Sequence, residues 1–287
     1  EILTCTGRDA ARWQSLFDEL PSGYRDIFFS PAYARVQQSL GQGKCYAAVY
    51  RWQEFFILQP FMQRDQALTS FYGGGGPISN LAGKADYRLW LWFEQEFAQW
   101  RQANKITSEY VRLHPLFERM QRRMLRESTL KVELLREAVT VKIDVSNEDL
   151  LKSFSRNRQR GVRDSRAEIV PTNDTLPFAE QYRTSMERLG ASGNWKFPDP
   201  TWWFYRSELQ DYMSILTDGV GLSLLVLHGY GKAYAHFLGG QGPNDRLYYE
   251  SMKHCRDVGC KTYFLGGGTT SDPSDSLLAY KSGFGST

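Results

Sequence analysis

Residues 275–285, Asp-Ser-Leu-Leu-Ala-Tyr-Lys-Ser-Gly-Phe-Gly, combine a helix start, a lysine and a glycine stop. A short helix from Asp275 would carry Tyr280 and Lys281 towards Gly283, and a fixed ammonium there can stabilise a developing oxyanion. The same lysine also fits an ordinary surface position. Gly73 to Gly76 and Gly266 to Gly268 offer backbone N–H groups that a phosphate or carboxylate can approach closely, or else simple turns. Arg156, Arg158, Arg160, Arg163 and Arg166 crowd one segment that could grip the phosphates of a nucleotide or an RNA. Their helical spacing scatters them over several faces, as on a solvated helix. Arg119, Arg122, Arg123 and Arg126 form a second basic stripe.

Other chemistries lack local support. The chain has no GxSxG, HExxH or GxxxxGK[ST] pattern, and His114, His228, His236 and His254 stand isolated. Cys5, Cys45, Cys255 and Cys260 show neither CxxC spacing nor a neighbouring His. A fold that works without a metal, a cofactor or a covalent nucleophile is therefore expected.

The elements that must position these groups follow from periodicity. Trp13, Leu16, Phe17 and Leu20 predict an amphipathic helix over 9–20, and Ser30-Pro31 opens another through Tyr33, Val36 and Leu40. Residues 45–50 and 55–62 predict an antiparallel hairpin. After the glycine run, Trp90, Phe93, Phe97 and Trp100 mark one face of a long helix. A buried strand is then expected over 110–114. The second half repeats the order: a hairpin from 222–228 and 233–239, a helix through Leu247, Met252 and Val258, and a strand over 262–265. This recurrence argues for a duplicated mixed α/β unit, divided here as 1–145 and 146–287. Between the copies, Ser146 can cap a helix from Glu148, and 173–190 reads as another.

Composition bounds the function class. A net charge of +3 is too weak to announce a dedicated nucleic-acid binder, yet leaves room for a basic patch. No apolar run approaches the roughly 18 residues of a membrane helix, so no integral membrane segment is expected. The cysteine usage suits a reducing compartment, hence a cytoplasmic location. Aromatic residues at 14% point to large cores or a ring-walled cleft.

Taken together, these segments resemble the Fem family of peptidoglycan-bridge aminoacyltransferases and related acetyltransferase-fold proteins over nearly the whole chain. The resemblance rests on Phe29-Ser30-Pro31-Ala32-Tyr33, on Tyr72 to Pro77, on Val111-Arg112-Leu113-His114-Pro115 and on residues 141–170, where Arg156, Arg160 and Gly161 punctuate a basic helix. It continues through Leu265 to Gly268 and Tyr280-Lys281-Ser282-Gly283-Phe284. The resemblance implies an α/β fold of mixed α+β sheets in two tandem GNAT-like (acyl-CoA N-acyltransferase-like) domains. It further implies an amide-forming reaction: an aminoacyl group moves from aminoacyl-tRNA to an amine of a nucleotide-linked cell-envelope precursor, such as a peptidoglycan or sugar-nucleotide intermediate.

Lys281 matches the family lysine that stabilises the tetrahedral intermediate, and Tyr280, in place of the usual Phe, joins it as the candidate catalytic pair. Arg35, where the family pattern has Lys, and Arg188 match basic residues that hold the acceptor's diphosphate, and are expected to face a shared cleft. Tyr72, Gly73, Gly74, Arg156, Gly267 and Phe284 complete the candidate substrate-binding set. The chain lacks the long helical hairpin of some members, so no tRNA-binding arm is implied. Acyl-CoA as donor, for an N-acyltransferase acting on an amino sugar or other small amine, is the alternative. Residues 239–244 do not spell its R/QxxGxG/A turn, and Pro243 removes one N–H from such a cradle. A non-catalytic glycan- or nucleotide-binding module is the reading from a different class.

Overall fold

In the computed structural model the chain forms two compact units, Glu1–Val132 and Glu133–Thr287. Residues 82–86, 126–130, 136, 243, 273 and 286–287 lie outside the described residues, as does the side chain of Asn194. The sequence readings of Arg126 and Pro243 therefore fall outside them too.

In the first unit, helix α1 (Gly7–Glu19) buries Trp13, Leu16 and Phe17 at the predicted spacing. Helix α2 (Pro31–Ser39) starts as its sequence dictates: the Ser30 hydroxyl accepts the Tyr33 N–H, and Pro31 fills the first turn, where its missing donor costs nothing. Strands β2 (Lys44–Trp52) and β3 (Phe55–Arg64) make the expected hairpin. The sheet runs β1 (Ile2–Thr4), β2, β3, β4 (Ala67–Thr69), β6 (Ser108–Tyr110), with β5 (Ile78–Ser79) also on β3. Helix α3 (Tyr87–Ala103) buries Leu89, Trp90, Phe93 and Phe97, and α4 (Glu118–Met124) follows β6.

The strand expected over 110–114 is a correction. Strand β6 ends at Tyr110, which is 51% exposed. The apolar alternation of Val111 and Leu113 serves irregular backbone instead: the Gly75 N–H donates to Arg112 O at 2.9 Å, and the His114 N–H to Gln121 Oε1 at 2.8 Å.

The second unit has the sheet order β7 (Ala138–Lys142), β12 (Thr262–Gly267), β11 (Lys232–Gly240), β10 (Leu222–Gly229), β9 (Met213–Thr217), β8 (Val170–Thr172). Strand β7 joins this unit because it pairs with β12. Helices α5 (Asn147–Ser153), α6 (Arg156–Asp164), α9 (Asp245–Asp257) and α10 (Ser276–Ser282) contribute Leu150, Val162, Leu247, Met252 and Leu278 to one core. Helices α7 (Thr175–Arg188) and α8 (Pro200–Leu209) enclose an aromatic cluster in which Tyr182 and Trp202 meet Phe237 edge-on. The largest rings are buried in cores rather than lining a cleft: Trp13, Trp90, Trp202, Tyr33 and Tyr205 are all below 2% exposure apart from Trp202 at 2%. Val258, expected within the α9 face, caps that helix and is half exposed.

Both units return a strand in parallel after a helix, β6 beside β4 and β12 beside β11. In the first unit β4 intervenes between hairpin and returning strand. The architecture is thus α/β with mixed sheets in two tandem GNAT-like domains.

Candidate active site

Lys281 is placed by three local decisions of the backbone. The first is the cap of α10, where Asp275 Oδ1 accepts the Leu278 N–H at 2.9 Å. Its Oδ2 accepts the hydroxyls and N–H groups of Thr269 and Thr270 at 2.6 to 3.1 Å, tying the loop after β12 to the helix start. These bonds, the Thr269 hydroxyl foremost, hold the Asp275 carboxyl well below the ordinary carboxylate range. The second is Gly268, where an added Cβ would lie 2.5 Å from Asp275 Oδ1. The third is a β-bulge: the pairing of β12 with β7 shifts register between Phe264 and Gly266, and Gly266 adopts φ 80°. Lys281 Nζ donates to Gly267 O at 2.9 Å, directly beyond that bulge. On its other side, β12 pairs with β11 only through Thr262, Tyr263 and Phe264, so the two strands part before the glycines.

Next to Lys281 on α10, Tyr280 joins a part-buried ionic network. Asp245 Oδ1 accepts from Arg158 Nη1 at 2.6 Å and from the Tyr280 hydroxyl at 2.9 Å. The Arg158 guanidinium also stacks over the Tyr280 ring at 4.3 Å. Burial, reinforced by the Asp245 charge, pushes the Tyr280 phenol far above its usual range, so it remains a donor. Phe284 is wholly buried and packs edge-on against Phe154 and Tyr280, supporting the network from below.

The basic segment sorts onto two faces of α6 rather than scattering. Arg158 turns inward to Asp245, whereas Arg156, Gln159, Arg160 and Arg163, spaced by three or four residues, line one 340 Å³ groove together with Asp164. Arg188 ends α7 and lines a separate 420 Å³ cleft with Glu180, Gln181, Thr184 and Gln241. In the first unit, Arg35 donates to Cys5 O, and Tyr72 O accepts the Tyr33 hydroxyl. The glycine run there is firmly packed: a Cβ at Gly73 would sit 2.6 Å from the Phe28 ring, and one at Gly74 3.2 Å from His114. Lys281, Tyr280, Gly267 and Phe284 thus gather around α10, Arg156 occupies the outer face of α6, and Arg35, Tyr72, Gly73 and Gly74 belong to the other unit.

Sequence reasoning missed Asp245 and Asp275. Asp275 was visible as a helix start, but its grip on Thr269 and Thr270 was not. Asp245 stands 87 residues from Arg158, and only the fold joins them. A hint existed in Gly161, in the middle of the basic helix, where a Cβ would overlap the Asp245 carboxylate.

Among the described residues, no group of three or more His, Cys, Asp or Glu could hold a metal ion, and no helix is long and apolar enough to cross a membrane. No family model matches the chain, and no curated protein matches it. Solved structures do share its fold. That of FemX superposes with a TM-score of 0.64 at 14% identity, covering 99% of this chain and 94% of that one. L-PGS from Bacillus licheniformis gives 0.57 at 13%, covering 97% and 84%. The C-terminal domain of a putative lysylphosphatidylglycerol synthetase from Agrobacterium fabrum gives 0.56 at 11%, covering 96% and 87%.

Proposed function

We propose that this chain is a cytoplasmic transferase that moves an aminoacyl group from aminoacyl-tRNA to an amine of a nucleotide-linked cell-envelope precursor. The observation that carries this reading is Lys281, whose ammonium is aimed by Gly267 O at the bulged end of β12, beside the parting of β11 and β12. In amide formation the amine attacks an ester carbonyl, negative charge collects on its oxygen, and collapse breaks the ester C–O bond as the proton given up by the amine passes to the departing ribose oxygen. An ammonium fixed beforehand stabilises that charge without reorganising. The fold supports aminoacyl transfer, since one protein domain that shares it belongs to a putative lysylphosphatidylglycerol synthetase, whose product is an aminoacylated compound.

The donor assignment draws on two further features. The Arg156, Arg160 and Arg163 face of α6 suits a chain of phosphates. The first turn of α9 carries the Asp245 carboxylate, where coenzyme A chemistry would want a pyrophosphate drawn to bare N–H groups. Within the second unit, Arg188 is assigned to substrate phosphates and Gly267 to orienting Lys281; within the first, Arg35, Tyr72, Gly73 and Gly74 are assigned to substrate binding.

Lys281→Met tests the reading. Single-turnover transfer should fall about 100- to 1000-fold, the usual loss for one oxyanion donor, with substrate binding little changed. A rate within threefold of the parent would remove Lys281 from the mechanism. Turnover with acetyl-CoA but none with aminoacyl-tRNA would assign the donor to coenzyme A instead.

A further inference from the structure

We infer that Asp245 and Arg158 are positioning residues for Lys281, acting through Tyr280; this rests on the catalytic role proposed for that lysine. Helix α10 is only seven residues long, too short to hold its own pitch. Its first turn is fixed by Asp275, which leaves the last turn, where Lys281 sits, to be fixed from elsewhere. One anchor there is the Asp245 carboxylate, since one oxygen takes both the Tyr280 hydroxyl and the Arg158 guanidinium.

Two glycines show that this contact is built into the packing. Gly161 has no room for a Cβ because the Asp245 carboxylate occupies the space, so α6 can approach α9 only with glycine there. Gly283, directly after α10, would place a Cβ 2.8 Å from Arg158 Cγ and 3.0 Å from Ser155 Oγ. Its carbonyl accepts the Ser155 N–H at 2.7 Å, which clamps the end of α10 to the start of α6. The neighbouring residues of α10 thus divide the work: Tyr280 is held from below, and Lys281 reaches Gly267 O. A shift of α10 by one ångström would displace the Lys281 ammonium from Gly267 O or force its side chain to another rotamer, an error of the size that costs catalysis heavily.

The experiment uses the full chain with Asp245→Asn, Lys281→Met and the double variant. Asparagine keeps the shape and one hydrogen-bond acceptor while removing the charge, whereas alanine would take the acceptor from both Arg158 and Tyr280. Asp245→Asn should slow single-turnover transfer about tenfold or more while KM stays within about twofold, and should add nothing on top of Lys281→Met. Acetylation of Lys281 by acetic anhydride, read by peptide mass spectrometry against exposed Lys142, should change at least about threefold. Should Asp245→Asn not fold, Tyr280→Phe removes the phenol donor alone and takes the same readouts in its place. An unchanged acetylation ratio, or rate losses that add fully to those of Lys281→Met, would overturn the assignment. Full activity of Lys281→Met alone would instead remove the reaction reading, while the acetylation ratio still decides the positioning role.

Discussion

At Gly161 a single hydrogen in place of a methyl decides whether α6 can lie against α9. Alanine there would drive its Cβ into the Asp245 carboxylate, so either the helices separate or the Arg158 and Tyr280 bonds break. Gly161→Ala should therefore destabilise the second unit by about 1–3 kcal/mol, the range for overpacking, and slow transfer as well. Gly193→Ala is the control, because nothing lies within 4 Å of a Cβ at that position and its φ is not in the left-handed region. Thermal unfolding of both variants reads the contrast; a Gly161→Ala midpoint above that of the parent by the helix-propensity gain of about 1 kcal/mol would mean that α6 yields at no cost.

At the scale of elements, α6 works with two faces. Its inward face carries Arg158 and Val162, and its outward face carries Arg156, Arg160 and Arg163 in one groove. If that groove tracks an RNA strand, three phosphate contacts give a slope of about −2 in log affinity against log salt. Arg160→Gln should weaken binding of a tRNA and flatten the slope by about 0.7, measured by fluorescence anisotropy between about 50 and 200 mM salt. An unchanged slope would take Arg160 out of the interface. Helix α6 also shows where reading the sequence stops. The Ser30, Ser146 and Asp275 caps and both hairpins were legible, because each is decided by residues within one turn or one strand pair. Which side of α6 is buried depends on α9, far along the chain, and spacing alone made its arginines look scattered. Strand β7 went unread because five residues of alternating burial gain meaning only beside β12. The opposite failure is 110–114, where alternation was present but its partner was a glycine loop rather than a strand.

At the scale of the molecule, the second unit buries imidazoles that it keeps neutral. Burial, then repulsion from His254, lowers His228 to about 4, and burial alone lowers His236 to about 3. Ser214 Oγ bridges His228 and His254, and the Tyr205 hydroxyl meets His236 Nε2 at 2.9 Å, so each is satisfied without a charge. The unfolded chain takes up these protons near pH 6.5, whereas the native unit takes them up only near 4 and 3. Below pH 6.5 the unfolded state thus binds more protons, and stability falls as pH falls. Each such histidine contributes about 1.4 kcal/mol per pH unit through that window. The carboxylates Asp218 and Asp275, whose folded values are lowered, begin to lose their contribution only below about pH 4. Between about pH 6.5 and 4.5 the histidines of this unit should therefore dominate the slope of its unfolding free energy. Glu94, pushed up by burial, belongs to the first unit and works in the opposite sense there. His228→Gln should make the slope of the second unit shallower by close to one proton, read from urea unfolding at several pH values. An unchanged slope would mean that His228 already titrates normally in the native fold.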